Sequence, residues 1–189
     1  RATVLAARGT EVRVVLTIGS VGLTAQEMDA MPRLELVCAL GAGFENIDRS
    51  HAHARGIVVA NGAGTNEDSV ADHALGLLLA AVRAIPRNDR ACRDGIWRDA
   101  LPLPPQVAHR RLGIVGMGSI GLKIARRALG FDMAVGYHNR RARGDVAYSD
   151  FDTVLALAEW ADFLVVAAPG GPATRHLVDA QVLAALGPQ

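Results

Sequence analysis

Three glycines follow an apolar run at the spacing G-x-G-x-x-G: Gly116, Gly118 and Gly121. Between a strand and a helix, the first glycine permits a tight turn, the second lets a pyrophosphate approach the backbone, and the third lets the helix pack on the strand. The amides of Met117 to Ile120 then face the anion, aided by the positive end of the helix dipole. We therefore predict a dinucleotide site whose first contacts are Gly116, Met117, Gly118, Ser119, Ile120 and Gly121. The alternative interpretation is a glycine-rich β-α turn without a ligand.

The residues after the next predicted strand are basic where a carboxylate is common. A unit selective for NAD places Asp or Glu about 20 residues beyond the glycines, where it accepts hydrogen bonds from the ribose. This chain has Asn139, Arg140 and Arg141 there. Guanidinium groups bind a 2′-phosphate with paired hydrogen bonds, a carboxylate would repel it, and the asparagine can still hydrogen-bond. We predict NADPH over NADH, with Arg140 as the principal contact and Arg141 as its partner. The alternative is that these arginines and Arg143 form a solvated basic loop.

Predicted strands and helices alternate along the chain. Apolar runs without polar alternation indicate strands buried on both faces, and their alternation with helices indicates an α/β fold with parallel sheets. Thr24 and Glu27 form a capping box at the start of a short helix. Predicted strands are 12–18, 34–40, 57–60, 112–115, 133–137 and 163–168, and the longer predicted helices are 47–55, 70–85, 120–129 and 154–159.

Charge and composition exclude several classes of function. The 189 residues carry 20 basic and 19 acidic side chains, a net charge of +1, so no global field attracts nucleic acid or an anionic membrane. The longest apolar run, 74–82, is about half the roughly 20 residues that a membrane span needs. Cys38 and Cys92 have no metal-ligand spacing and suggest no disulfide framework. We expect a cytoplasmic globular protein without a metal site, a nucleic-acid partner or a membrane span.

Four blocks of sequence are typical of one known protein family. They are GAGFENID at 41–48, NGAGTN at 61–66, VADHA at 70–74 and GMGSIG at 116–121. In this order they resemble the D-isomer-specific 2-hydroxyacid dehydrogenases, and among these the glyoxylate/hydroxypyruvate reductases. The resemblance implies two flavodoxin- or Rossmann-like domains, with a substrate domain over 1–73, a nucleotide-binding domain over 74–189, and a switch along the helix across 70–85.

The resemblance also implies further site residues. The loop formed by Leu40, Gly41, Ala42 and Gly43 would offer backbone amides to a substrate carboxylate, which a glycine-rich strand end can expose. Val70 would flank the nicotinamide, the residues Ala167, Ala168 and Pro169 would pass under the cofactor, and Thr174 would touch it. An alternative interpretation of 168–172 is a simple strand-ending turn.

The family's catalytic residues are not found in this sequence. Its arginine, glutamate and histidine belong downstream of Gln189, so no catalytic residue is assigned. We expect a chain truncated at both ends, with a nucleotide-binding domain incomplete on its C-terminal side. The histidines present do not fill the gap: His51 and His53 face different directions on a predicted helix and make a poor metal site, His73 is expected to pack at the domain switch, and His138 and His176 to edge the nucleotide site.

Two functional hypotheses follow from these residues. The first is an NADPH-dependent oxidoreductase that reduces a small 2-keto acid, such as glyoxylate or hydroxypyruvate, to the D-2-hydroxy acid. The second is a catalytically inactive nucleotide-binding or interaction module, since one fold can serve both purposes. A homodimer is a further expectation from the resemblance.

Overall fold

The computed structural model describes residues 2–187 and divides into two compact units, Arg1–Asn66 and Glu67–Gln189. These units divide before helix α4 (Glu67–Val82), whereas the predicted domain boundary lies within that helix at 73/74 and stays a prediction. The units divide there because the whole helix packs with the second unit. Ala71 and Leu75 are buried in that unit's core, and acidic residues in the first turns pair with the next long helix. The predicted roles of the two units remain predictions.

The first unit holds a three-stranded parallel sheet in the order β1 (Val14–Ile18), β2 (Leu36–Leu40) and β3 (Val58–Asn61). Helices α1 (Ala2–Arg8), α2 (Ala25–Asp29) and α3 (Arg49–Ala54) accompany it. The predicted capping box is confirmed at the start of α2, where Thr24 and Glu27 exchange hydrogen bonds between side chains and backbone.

One face of this sheet carries the core of the first unit. Val37 and Ala39 pack there with Met28 of α2 and Ala52 of α3. The prediction that the first strand is buried on both faces is wrong, because Val14, Leu16 and Ile18 are 56%, 62% and 43% exposed. Side chains alternate between the faces of a strand, and α2 and α3 pack on the face opposite these three.

The second unit holds a four-stranded parallel sheet in the order β6 (Ser149–Asp150), β5 (Ala134–His138), β4 (Arg111–Val115) and β7 (Phe163–Val166). Its other helices are α5 (Ile85–Arg93), α6 (Ser119–Ala128), α7 (Val154–Trp160) and α8 (Ala180–Ala185). Short 3-10 turns lie at Gly9–Glu11, Arg98–Ala100, Leu129–Phe131 and Pro172–Thr174. The predicted α/β architecture with parallel sheets is confirmed.

Helices α4 and α6 are held together by charges as well as by apolar contacts. Lys123 Nζ lies 2.8 Å from an Asp68 carboxylate oxygen, and Arg127 Nε lies 2.5 Å from one of Asp72. The hydrogen bonds from Lys123 and Arg127 hold the pKa of Asp68 below its ordinary value. These pairs fix α6, and therefore the turn from which it starts, against α4.

No single helix among residues 2–187 is long and apolar enough to cross a membrane. Helices α4 and α5 reach that length and composition only as a pair, and they are bent by 57° at the break between them.

Two aromatic rings pack so closely against Gly136 in β5 that they leave no space for a side chain there. A Cβ at this position would lie 2.7 Å from ring carbons of both Phe151 and Trp160, whose ring centroids are 5.2 Å apart. We expect Gly136→Ala to lower the free energy of unfolding by about 1–3 kcal/mol, the usual cost of overpacking, as measured by urea denaturation.

Gly76 on the exposed side of α4 provides the matched control for that substitution. A Cβ there meets no atom within 4 Å, so Gly76→Ala is expected to stabilise the protein by about 0.5–1 kcal/mol through helix propensity. Equal effects of the two substitutions would contradict the close packing at Gly136.

Candidate nucleotide-binding site

The glycine turn joins β4 to α6. Gly116 has φ +99°, and a Cβ at Gly121 would lie 2.1 Å from the Gly116 carbonyl oxygen. By contrast, a Cβ at Gly118 would meet no atom within 4 Å. The first and third glycines are therefore needed by the fold itself, whereas the space at the second is open.

The start of α6 leaves backbone donors unused. Its N-cap, Gly118, has no side chain to cap the helix, and within residues 2–187 the amides of Ser119 and Ile120 donate no hydrogen bond. Unpaired N–H groups at a helix start attract anions. This geometry suits the predicted phosphate contact at Ser119 and Ile120.

The amide of Met117 is used inside the protein. It donates to Asn139 Oδ1 at 2.7 Å, and the Met117 side chain is fully buried. The prediction that this amide faces the anion is therefore wrong, because the amide is already hydrogen-bonded to Asn139, which follows β5. With Oδ1 engaged, the Asn139 amide nitrogen is left as a donor, and it makes no hydrogen bond within the described part of the chain.

The three arginines after β5 differ in their surroundings. The side chains of Arg140 and Arg141 are exposed and form no hydrogen bond or ion pair with the described residues. Arg143 instead donates to the Met117 carbonyl oxygen at 2.8 Å and pairs with the Asp145 carboxylate. The guanidinium of Arg143 holds the pKa of Asp145 below its ordinary value. Two of the three arginines are thus available to a ligand.

These elements line one cavity of about 1010 Å³, at the upper end of the usual size of ligand sites. It lies at the carboxyl ends of β4, β5 and β7, where parallel sheets of this kind bind ligands. Of the predicted cofactor contacts, the lining includes Gly116, Met117, Gly118, Asn139, Arg140, Arg141, Ala167, Ala168, Pro169 and Thr174. Ser119, Ile120, Gly121 and Val70 are not among its lining residues. A second cavity of about 640 Å³, beside α6 and β6, is lined by none of the predicted residues.

The loop after β7 closes one side of this cavity. Thr174 Oγ1 lies 2.7 Å from the Pro169 carbonyl oxygen and 3.2 Å from that of Gly171. The hydroxyl group therefore donates its hydrogen bond within the loop. Thr174 can contact a ligand only as an acceptor or through its methyl group.

Two predicted histidines can be located relative to the cavity. His138 lines it, and its Nδ1 lies 2.8 Å from the Phe151 carbonyl oxygen. Because a carbonyl only accepts, that nitrogen carries the hydrogen, which fixes the ring. His176 has φ +57° and does not line the cavity.

The predicted substrate loop, residues 40–43, lies in the first unit. Its carbonyl groups are turned toward β3: the Gly62 amide donates to the Gly41 oxygen at 2.8 Å, and Asn61 Nδ2 donates to the Ala42 oxygen at 2.7 Å. The amides of Ala42 and Gly43 donate to no described residue. Such unpaired amides can bind a carboxylate.

A negative charge also stands near that loop. A Cβ at Gly43 would lie 2.7 Å from a carboxylate oxygen of Glu45, and repulsion from this carboxylate acts against an anion there. Leu40, at the end of β2, is 58% exposed.

Two residues with a part in these sites were missed from the sequence: Asn61, which orients the loop 41–43, and Arg143, which binds Met117. Asn61 could have been noticed, because it ends the strand next to β2 and parallel strands bring their carboxyl ends to one edge. The contact between Arg143 and Met117 has no sequence signal, because it spans 26 positions and depends on how a loop folds back.

Comparison with known proteins identifies the family. Residues 75–189 match the family model described as "D-isomer specific 2-hydroxyacid dehydrogenase, NAD binding domain". The chain therefore belongs to the D-isomer-specific 2-hydroxyacid dehydrogenases, as the sequence blocks suggested.

Particular relatives carry more specific names. The chain is 39% identical over 177 residues to a glyoxylate/hydroxypyruvate reductase A of Arabidopsis thaliana, covering 93% of this chain and 56% of the relative. It is 36% identical over 186 residues to a hydroxyphenylpyruvate reductase of Plectranthus scutellarioides, covering 98% and 59%.

A solved structure is also similar. It is an NADPH-dependent glyoxylate/hydroxypyruvate reductase from Sinorhizobium meliloti in complex with NADP and malonate, with a TM-score of 0.91, 38% identity, and coverage of 99% of this chain and 59% of that one. The chain thus spans less than two thirds of the length of the relatives it matches.

Proposed function

We propose that the protein is an NADPH-dependent oxidoreductase that reduces a small 2-keto acid, such as glyoxylate or hydroxypyruvate, to the D-2-hydroxy acid. The observation that carries the proposal is the placement of Arg140 and Arg141, both without partners among the described residues, on the same cavity as the glycine turn. The bound cofactor would supply the hydride. The names of relatives that reduce glyoxylate and hydroxypyruvate support the substrate class.

The orientation of Asn139 supports selection of the extra phosphate. Its Oδ1 accepts from Met117, so its remaining polar atoms are donors, which suit a phosphate oxygen. Two exposed guanidinium groups add charge-assisted hydrogen bonds, each contributing about 1.5–3 kcal/mol. No acidic side chain is among the residues that line this cavity.

The loop 41–43 supports a substrate with a carboxylate. Its carbonyls are held by Asn61 and Gly62, which leaves the amides of Ala42 and Gly43 for an anion. We propose this loop as the carboxylate contact, and a homodimer as the working state.

Direct titration tests the choice of cofactor. We expect NADPH, followed by its fluorescence, to bind at least about tenfold more tightly than NADH, since one charge-assisted hydrogen bond is enough for that ratio. In the double variant Arg140→Ala/Arg141→Ala the advantage should disappear while the Kd for NADH stays within about twofold.

The control is Arg87→Ala/Arg90→Ala on α5, which removes the same charge from exposed positions away from the cavity. Equal affinities in the unaltered protein would refute the NADPH preference. Oxidation of NADPH with glyoxylate or hydroxypyruvate then tests the reaction.

The second candidate is a nucleotide-binding module without catalysis. A protein that binds NADPH tightly but oxidises none of it with either keto acid would support this alternative.

A further inference from the structure

The segment 139–148 connects β5 to the short edge strand β6 without regular secondary structure. It carries Arg140 and Arg141, which have no partner among the described residues to hold them. A phosphate site on such a loop binds well only if the loop is fixed before the ligand arrives, because ordering it on binding lowers affinity. The side chain that fixes this loop therefore influences which cofactor binds.

The side chain of Arg143 makes one hydrogen bond to the glycine turn, 26 positions away, and two within the loop. Nη1 donates to the Met117 carbonyl oxygen at 2.8 Å, and Nε donates to Asp145 Oδ1 at 2.9 Å. Nη2 completes a paired contact with the second Asp145 oxygen. The Arg143 side chain is 28% exposed, less than half the exposure of Asp145. It thus links the loop to the glycine turn.

The backbone of Arg143 is anchored as well. Its amide donates to the Tyr137 hydroxyl oxygen at 3.1 Å, and that hydroxyl lies 3.3 Å from the Arg143 carbonyl oxygen. Tyr137 is 1% exposed and belongs to the core of the second unit. The loop is therefore fastened at this residue both to β5 and to the glycine turn.

Both backbone polar groups of Met117, its N–H and its C=O, form hydrogen bonds with side chains of this loop. Asn139 accepts its N–H, and Arg143 donates to its C=O. Because Met117 stands between Gly116 and Gly118, a shift of the loop moves it relative to the amides that face the pyrophosphate.

We propose that Arg143, supported by Asp145, is a positioning residue for cofactor selection: it ties the loop that carries Arg140 and Arg141 to the Met117 carbonyl of the glycine turn. The inference rests on the proposed NADPH preference. Arg143 lines the cavity, so the competing role is direct contact with the 2′-phosphate.

The two roles predict opposite signs for Asp145→Asn. If Arg143 contacts phosphate, loss of a nearby negative charge reduces repulsion and frees the guanidinium, so NADPH binds more tightly. If Arg143 holds the loop, loss of the carboxylate loosens Arg143, so NADPH binds more weakly. The ionised state of Asp145 is secure near neutral pH, because Arg143 lowers the pKa of its carboxyl group.

The experiment measures the Kd values of NADPH and NADH for the unaltered protein, Asp145→Asn, Arg143→Lys and the double variant. We expect each single variant to weaken NADPH binding by about 3- to 10-fold, with a smaller change for NADH. Lysine keeps the charge but lacks the planar fork, so it does not rescue the affinity. The double variant should lose no more than either single variant, because the two residues act as one unit.

Controls come from an exposed pair of the same chemistry. Arg98→Lys and Asp99→Asn alter a pair whose side chains are 84% and 86% exposed and should leave both Kd values unchanged. Tighter NADPH binding by Asp145→Asn, or unchanged NADPH binding by Arg143→Lys, overturns the positioning role alone. Equal binding of NADPH and NADH by the unaltered protein refutes the proposed preference, and the positioning role with it.

Discussion

Asn139→Asp is expected to reverse the proposed preference for NADPH over NADH. One carboxylate oxygen replaces Oδ1 and still accepts from the Met117 amide, so the turn keeps its structure. The other replaces the amide nitrogen and changes a donor into a negatively charged acceptor. That oxygen can accept from a ribose 2′-hydroxyl but repels a 2′-phosphate. We expect NADPH affinity to fall by about 10- to 100-fold, since a unit charge pair near a protein surface interacts by several kcal/mol before screening.

Ionic strength gives this prediction a second readout. The loss of NADPH affinity should shrink at high salt, because screening reduces the repulsion, while NADH should bind as well as or better than before. Gln181→Glu on α8 is the isosteric control, since it adds one negative charge at an exposed position outside the cavity lining. If Asn139→Asp changed NADPH and NADH affinity equally, Asn139 would act only through Met117 and not on the ribose.

Gly118→Ala is expected to weaken cofactor binding, whereas Gly121→Ala is expected to destabilise the fold, although the two positions lie three residues apart in one turn. At Gly118 a methyl group enters open space, so the free energy of unfolding should stay within about 0.5 kcal/mol. That space is where the pyrophosphate would approach. Affinity should fall by about 5- to 150-fold, the equivalent of about 1–3 kcal/mol of steric cost.

The loss in Gly118→Ala should be equal for NADPH and NADH, because both carry the same pyrophosphate. Gly121→Ala instead places a methyl group 2.1 Å from the Gly116 carbonyl oxygen, and a backbone atom cannot rotate away. It should destabilise the second unit by about 3 kcal/mol or more, as seen by urea denaturation. Normal cofactor binding by Gly118→Ala would argue that the turn is only a structural β-α connection.

The sequence predicted the fold well where local patterns and tertiary packing agree. Each of the six predicted strands is present with bounds within about two residues, the usual uncertainty of strand and helix ends. Strand β6 was missed because its two residues, Ser149 and Asp150, are too few to show a pattern. Helix α4 was placed at 70–85 but runs from Glu67 to Val82, because its first turn is stabilised by acidic residues and by their pairing with α6, and only the first of these is local.

The candidate site divides in the same way. The glycine turn and the arginines that follow β5 could be predicted from the sequence, because a pyrophosphate turn and a 2′-phosphate site each need particular residue types at a fixed spacing. The use of the Met117 amide by Asn139, and of its carbonyl by Arg143, was not visible. Each backbone group can find a partner in many ways, and only the folded loop selects one.

By itself the sequence determined the α/β architecture, the position of the glycine turn and the basic character of the next strand end, because these depend on periodicity and residue type. The tertiary structure alone decided which donors remain free for a ligand, which face of the first sheet is covered, and which arginine supports the loop. These depend on contacts between residues far apart in the chain, such as the 22 positions between Met117 and Asn139, and no local pattern encodes them.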